Sequence, residues 1–348
     1  MAQRVVVAPD GFGSTLSAAR AAAAIGRGWS SARPGDEVIG KPQSDGGPGF
    51  LDCLADVGEE RSAVVRSPLG ESVSARWRVD GGTAYLECAQ ACGLHLVATP
   101  DPLTAVAAKS AGVGDLIAAA LVEPGVRRLV VGLGGSATTD GGRGMLDALG
   151  GGTSAARLLS GIDVVAATDV DNPLTGPRGA AQVFAPQKGA DPAAVEELAA
   201  RLRRYGADLD GLAGRPVSAE PGAGAAGGIG AALLAVGARR VSGAGLVAEA
   251  TGLPAAVREA DLVITGEGRL DEQTAGGKVV AGVAALATGI PVLALVGECA
   301  LADPRSLGLT AAHSLIDHVG RDRALGDAES ALESMAARVS ADWRDPRE

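Results

Sequence analysis

The sequence predicts an α/β fold of two domains, and three observations predict it. Short apolar runs recur near both chain ends, each followed by a loop and an alanine-rich stretch, which is the rhythm of a parallel sheet covered by helices. From about Arg61 the rhythm changes to strict apolar/polar alternation over three short runs, the mark of an antiparallel meander with one face in water. Glycine accounts for 52 of 348 residues, about twice its usual share of roughly 7%, and it clusters where apolar runs end. The expected architecture is a Rossmann-like parallel-sheet domain formed by both chain ends, residues 1–62 and 253–348. A mixed α/β domain, residues 63–252, is inserted between them and carries the β-meander and the glycine-rich loops.

Taken in order, Arg4–Asp10 reads as a buried strand, Gly11–Ser17 as a loop, and Ser17 as the N-cap of a helix running to about Trp29. Asp36–Pro42 is a second strand, Gln43–Phe50 the loop at its end, and Leu51–Ala55 a helix. The meander comprises Ser62–Ser67, Glu71–Val79 and Thr83–Cys88, turning at Pro68–Gly70 and Asp80–Gly82. One helix is expected from about Thr104 to Leu121, then the strand Arg128–Leu133, a glycine-rich loop to Gly144, a helix, and the strand Ile162–Thr168. Asp169–Pro177 is too rich in Pro and Asn for regular structure. Asp191–Tyr205 is a helix with Asp191 as cap and Pro192 at its first position. Pro221–Gly230 is a second glycine-rich loop that opens a helix. The last third holds the strand Ala260–Gly266, the loop Glu267–Thr274, a helix near Gly277–Thr288, strands Pro291–Val296 and His313–Ile316, and a helix over Asp327–Asp342.

Composition narrows the function. Aromatics are 2% of a chain that is 47% hydrophobic, so the core is built from Ala, Val, Leu and Ile. A formal net charge of -10 argues against a nucleic-acid or membrane-surface partner, and anionic substrates would need local devices such as loops and placed Arg or Lys. Cys53, Cys88, Cys92 and Cys299 have no metal or disulfide spacing and read as small buried residues. The chain shows no signal peptide and no run of roughly 18 apolar residues. A cytoplasmic protein is the expectation, with a homodimer left open.

The stretch Val130–Met145 can bring backbone N–H groups close to an anion, because glycine adopts positive φ cheaply and has no Cβ to block approach. It is neither a Walker loop nor a dinucleotide fingerprint, and a plain strand-to-helix turn is the competing reading. Asp10, Asp45, Asp169 and Asp271 fall in loops or at strand ends, where a carboxylate reaches a metal or a hydroxyl. Arg269 and Lys278 are the best cations for a carboxylate or phosphate, and Lys188 is a further one. The duller alternatives stay open: Asp45 and Asp169 as turn-formers, and Glu267-Gly-Arg269 with Asp271 as an ion-paired loop. His95, His313 and His318 have no partners at catalytic spacing.

Motifs along nearly the whole chain resemble the bacterial type I glycerate kinases: Ala8-Pro-Asp10, Ser44–Gly47, Leu86–Leu94, Gly132–Gly144, Asp169–Pro177, Pro186–Ala190, Pro221–Gly230, and Ile264–Thr274 with Lys278. The resemblance implies ATP- and Mg²⁺-dependent phosphorylation of D-glycerate or a closely related hydroxy acid, usually at the 2-hydroxyl, in a cleft between two α/β domains. Carried onto this chain, it makes Asp169 and Asp45 the groups that orient hydroxyl or metal. Asp10, Gly46, Gly47, Glu267, Arg269, Asp271 and Lys278 are the substrate set. Gly134, Gly135, Ser136, Thr138, Asp140, Gly141, Gly142, Gly224, Gly227 and Gly228 are the nucleotide-phosphate set, and no dedicated metal ligand is assigned. The chain departs from the family pattern in two N-terminal loops, at Lys109–Asp115 where the family is Thr-rich, and after Gly150 where its stretch is short. Gly13 stands where the family has a lysine, and Asp45-Gly-Gly-Pro-Gly-Phe50 replaces Asp-Gly-Gly-Glu-Gly-Thr, losing a carboxylate at Pro48 and a hydroxyl at Phe50. These losses raise a second reading, a non-catalytic paralogue that binds a metabolite or nucleotide as a sensor or partner.

Overall fold

The computed structural model describes residues 2–13, 15–272 and 279–345. Its strands in chain order are β1 (Arg4–Pro9), β2 (Glu37–Gly40), β3 (Glu59–Arg66), β4 (Ser72–Asp80), β5 (Thr83–Glu87), β6 (Arg128–Gly132), β7 (Asp163–Ala167), β8 (Arg239–Val241), β9 (Leu262–Gly266), β10 (Arg269–Leu270), β11 (Val292–Val296), β12 (Glu298–Cys299) and β13 (Ala311–Ser314). The chain divides into two compact units, Met1–Asp45 with Asp52–Asp56 and Ala244–Glu348, and Gly46–Leu51 with Val57–Gly243.

The first unit is built on a five-stranded sheet in the order β13-β11-β9-β1-β2, every pairing parallel. Its strands are apolar on both faces, so successive residues feed two cores. Val5, Val7, Leu262, Ile264, Leu293 and Leu295 face one side with the helices Ala18–Ala32 and Ala328–Asp342. Val6, Ala8, Val263, Val292, Ala294 and Val296 face the other. The two long helices cross closely: a Cβ on Gly28 would stand 2.2 Å from the Glu333 carbonyl oxygen. Ser17 caps the first helix by accepting from the Arg20 N–H, as its sequence position suggests.

The second unit is built on a six-stranded mixed sheet, β3-β4-β5-β6-β7-β8, antiparallel from β3 to β5 and parallel from β5 to β8. The meander is therefore the edge of this sheet. β8 was not expected from the sequence, being three residues of which two are arginine. The helix expected over Thr104–Leu121 is two, Pro102–Ala107 and Ala111–Leu121. The break has a cause outside the segment: Ser110 gives its N–H to the Asp140 carboxylate (2.8 Å) and Lys109 gives its N–H to the Pro68 carbonyl (2.9 Å). Asp191 and Pro192 do open a helix, but it runs on to Ala213 rather than stopping at Tyr205. The expected strand His313–Ile316 ends at Ser314, whose hydroxyl caps the short helix Leu315–Val319.

Candidate functional site

In the second unit the carboxyl ends of β6 and β7 are where the predicted loops meet. The loop after β6 is pinned on both sides by backbone bonds: Leu133 N–H to Ala167 O at 3.0 Å, Leu94 N–H to Gly135 O at 2.8 Å and Ala137 N–H to Cys92 O at 2.7 Å. Asp140 ties the rest together. Its carboxylate accepts from the Ser110 N–H (2.8 Å) and hydroxyl (2.8 Å), from Gly142 N–H (2.9 Å) and from Gly144 N–H (3.1 Å). Three of these donors converge on Oδ2 and one on Oδ1, so Asp140 holds the loop in shape.

Beneath the loop lies Lys188, 4% exposed. Its ammonium donates to the Ser136 hydroxyl at 3.0 Å and the Thr138 carbonyl at 2.6 Å. Burial lowers its pKa to about 8, against the opposing pull of Cys92, Cys88 and Asp140. It remains charged at neutral pH and places a positive charge directly behind Ser136, whose oxygen accepts from the ammonium and whose own O–H is thereby a better donor.

The two glycine-rich loops interlock. Gly141 N–H donates to Gly227 O at 3.0 Å, and a Cβ on Gly227 would stand 1.9 Å from the Thr138 carbonyl oxygen. Ala226, Gly227 and Gly228 form a left-handed turn (φ 50°, 69° and 97°), a conformation only glycine adopts without strain; Ala226 is a strained exception. Gly224 donates to Asn172 O at 2.8 Å, tying this turn to the segment that follows Asp169. Asp169 itself is half-buried, two residues past the end of β7.

Gly46–Leu51 joins the same edge. A Cβ on Gly46 would stand 2.6 Å from Ala167 O, and one on Gly134 2.5 Å from Gly47 Cα. Glu87, 2% exposed at the end of β5, accepts from Gly49 N–H (3.3 Å) and Leu51 N–H (3.1 Å). Sequence reading passed over this carboxylate because it sits in an alternating strand. Pro48 packs on Gly135, and Phe50 is fully buried against Gly132 and Tyr85. The departure at Phe50 is thus packed into the fold, whereas Pro48 stays exposed while touching Gly135.

In the first unit, a pocket of about 440 Å³ forms where β1 and β9 end. Gly11, Phe12 and Gly13 line one side, Glu267, Arg269 and Asp271 another, and Glu298 and Arg321 a third. Asp10 anchors the first side through Asp10 N–H to Gly266 O at 2.8 Å, while its carboxylate accepts from Gly11 N–H at 2.7 Å. Arg269 Nε lies 3.5 Å from Asp271 and its Nη1 4.0 Å from Glu298, which also pairs with Arg321 at 3.3 Å. Ion pairing and pocket lining therefore coexist in Arg269, whose side chain is 60% exposed. Gly13 is exposed at φ +57°, with no atom within 4 Å of an added Cβ. Lys278 lies outside the described residues.

Known proteins share this sequence pattern. The glycerate kinase family pattern matches residues 5–157 and 152–344. The chain belongs to the glycerate kinase family. It is 55% identical to an uncharacterized protein of Mycobacterium tuberculosis, over 98% of this chain and 91% of that protein. It is 41% identical to the glycerate 2-kinase of Escherichia coli K12, over 85% of each. The crystal structure of glycerate kinase 2 from Salmonella typhimurium LT2 superimposes with a TM-score of 0.77 at 37% identity, covering 98% of both chains. Among the described residues, no cluster of three or more His, Cys, Asp or Glu could hold a metal, and no helix is long and apolar enough to cross a membrane. None of the four cysteines is in a disulfide; Cys53, Cys88 and Cys92 are buried as expected, whereas Cys299 is only half-buried.

Proposed function

We propose that this protein transfers the γ-phosphoryl group of ATP to glycerate or a closely related small hydroxy acid, at the 2-hydroxyl. The observation that carries the reading is the first unit's pocket, where Glu267, Arg269 and Asp271 face the loop after β1. One guanidinium suits a substrate carboxylate through its fork of donors, and the flanking carboxylates suit hydroxyls. In the second unit, the Ser136 hydroxyl, backed by the Lys188 charge, would supply a donor and the potential that a phosphate needs. Asp169 or Asp45 takes the substrate proton as its oxygen attacks phosphorus and the bond to the leaving ADP breaks.

Mg²⁺ fits the donor set in a limited way. It needs only one or two carboxylates besides phosphate oxygens and water; Asp169, half-buried just past the end of β7, would be one, whereas Asp140 is engaged in bracing its loop. Bound there, the ion would neutralise phosphate charge. The relative named glycerate 2-kinase supports the choice of hydroxyl.

The test is release of ADP from ATP-Mg²⁺ across a panel of small hydroxy acids. Turnover is expected with glycerate, and Arg269→Ala should raise the KM for the acid while leaving that for ATP unchanged. A protein that binds ATP yet turns over no acid in the panel would instead support the sensor reading, which the bare, exposed turn at Gly13 favours.

A further inference from the structure

The second unit holds another cavity, of about 450 Å³, on the far side of the loop that Asp140 braces. Thr139, Asp140 and Gly144 form one wall, Leu198 and Tyr205 of the helix Pro192–Ala213 another. Around it stand four cations from three separate stretches of chain: Lys109, Arg143, Arg201 and Arg204. In a protein with 41 acidic and 31 basic residues, such a ring calls for a physical reason.

Three carboxylates also line the cavity, Asp140, Asp147 and Asp208; the first two are engaged, and Asp208 lies one turn along the helix from Arg204. Asp140 accepts from four donors, and Asp147 lies 3.8 Å from Arg143. Arg201 is engaged by Glu197 and by the Val106 carbonyl oxygen at 3.1 Å. Lys109 and Arg204, by contrast, have no ion pair or side-chain hydrogen bond among the described residues. The wall carries one more unmet group: Thr139 is 1% exposed and its Oγ1 has no hydrogen-bond partner among those residues. A buried hydroxyl normally finds a partner, and this one lines the cavity.

We propose that this cavity binds a phosphate-bearing small molecule, with Lys109 and Arg204 contacting the phosphate and the Thr139 hydroxyl completing its shell. A planar carboxylate is satisfied by one arginine fork, whereas a tetrahedral dianion accepts from several directions at once; cations converging from three segments match the latter. Tyr205 adds a neutral phenol and an apolar face, with the Arg143 guanidinium 5.6 Å above its ring. The proposal names a recognised group and does not depend on kinase activity.

The readout is acylation of Lys109 in the full-length protein, followed by peptide mass spectrometry, with inorganic phosphate, ADP or adenosine present. At ten times its Kd a ligand leaves about a tenth of the sites empty, so labelling of Lys109 should slow about tenfold. Protection by inorganic phosphate or by ADP, lost in Arg204→Glu and weakened in Thr139→Val, supports the site. Equal protection by adenosine would overturn it, because the phosphate would then not be what is read. So would no protection by either phosphate compound at about 10 mM, well above ordinary metabolite affinities, or protection unchanged in Arg204→Glu.

Discussion

Replacing Asp140 with alanine separates a bracing carboxylate from one kept for ligand contact. The side chain accepts from three backbone N–H groups and one hydroxyl, at 2.8–3.1 Å. Ser110 is fully buried and Gly144 is buried, so at least their two N–H groups would lose a partner that water cannot replace. An unsatisfied buried donor costs about 1–3 kcal/mol, which puts the loss at about 2–6 kcal/mol for the two. Asparagine keeps one acceptor oxygen and turns its NH₂ toward a remaining donor, so Asp140→Asn should cost roughly half as much. Urea unfolding gives the total, and amide hydrogen exchange at Ser110, Gly142 and Gly144 localises it. Carboxylates held ready for substrate tend to destabilise the fold that presents them. A variant within about 0.5 kcal/mol of the parent, or more stable than it, would refute the bracing role.

Lys188 makes stability pH-dependent. Its folded pKa of about 8 lies below the ordinary lysine value of 10.5, so the unfolded chain holds the proton more tightly and stability rises with pH through the window between the two. From pH 7 to pH 9 the gain is about 1 kcal/mol; it should vanish in Lys188→Met, and equal pH slopes in the two proteins would count against the buried charge. Gly28→Ala tests the crossing of the two long helices. Alanine is the better helix former by about 1 kcal/mol, but its Cβ would stand 2.2 Å from Glu333 O, and forced separation costs about 1–3 kcal/mol. A lower Tm is expected, and a higher one would mean that the helices are not that close. Gly13→Lys combined with Pro48→Glu restores the two family side chains. Gly13 has open space but a φ of +57°, so the lysine costs about 1–2 kcal/mol of strain. If the lost charges limit turnover, kcat should rise about 10²-fold or more; unchanged turnover in a folded variant would clear Gly13 and Pro48 of blame.

What the sequence discloses about this protein follows from how far each cause acts along the chain. Helix starts depend on neighbours, and Asp191 accepting from Ala194 N–H at 2.8 Å, with Pro192 at the first position, is readable from four residues. The break at Ala108–Ser110 is not, because the group that draws the Ser110 N–H out of the helix is Asp140, thirty residues on. The same distinction changes the meaning of the glycines. Gly134, Gly227 and Gly228 look like a phosphate cradle in sequence, yet their missing Cβ atoms make room for Gly47, Thr138 and Gly141. Close packing of loop on loop is enough to require glycine there, so glycine richness by itself no longer points to a ligand. Anion chemistry rests instead on charges: a lysine buried behind Ser136, an arginine exposed in the first unit's pocket, and two cations that, among the described residues, are unpaired beside an unpartnered threonine. Burying a cation costs free energy unless something negative meets it, and behind Ser136 a phosphate would make up the difference for Lys188.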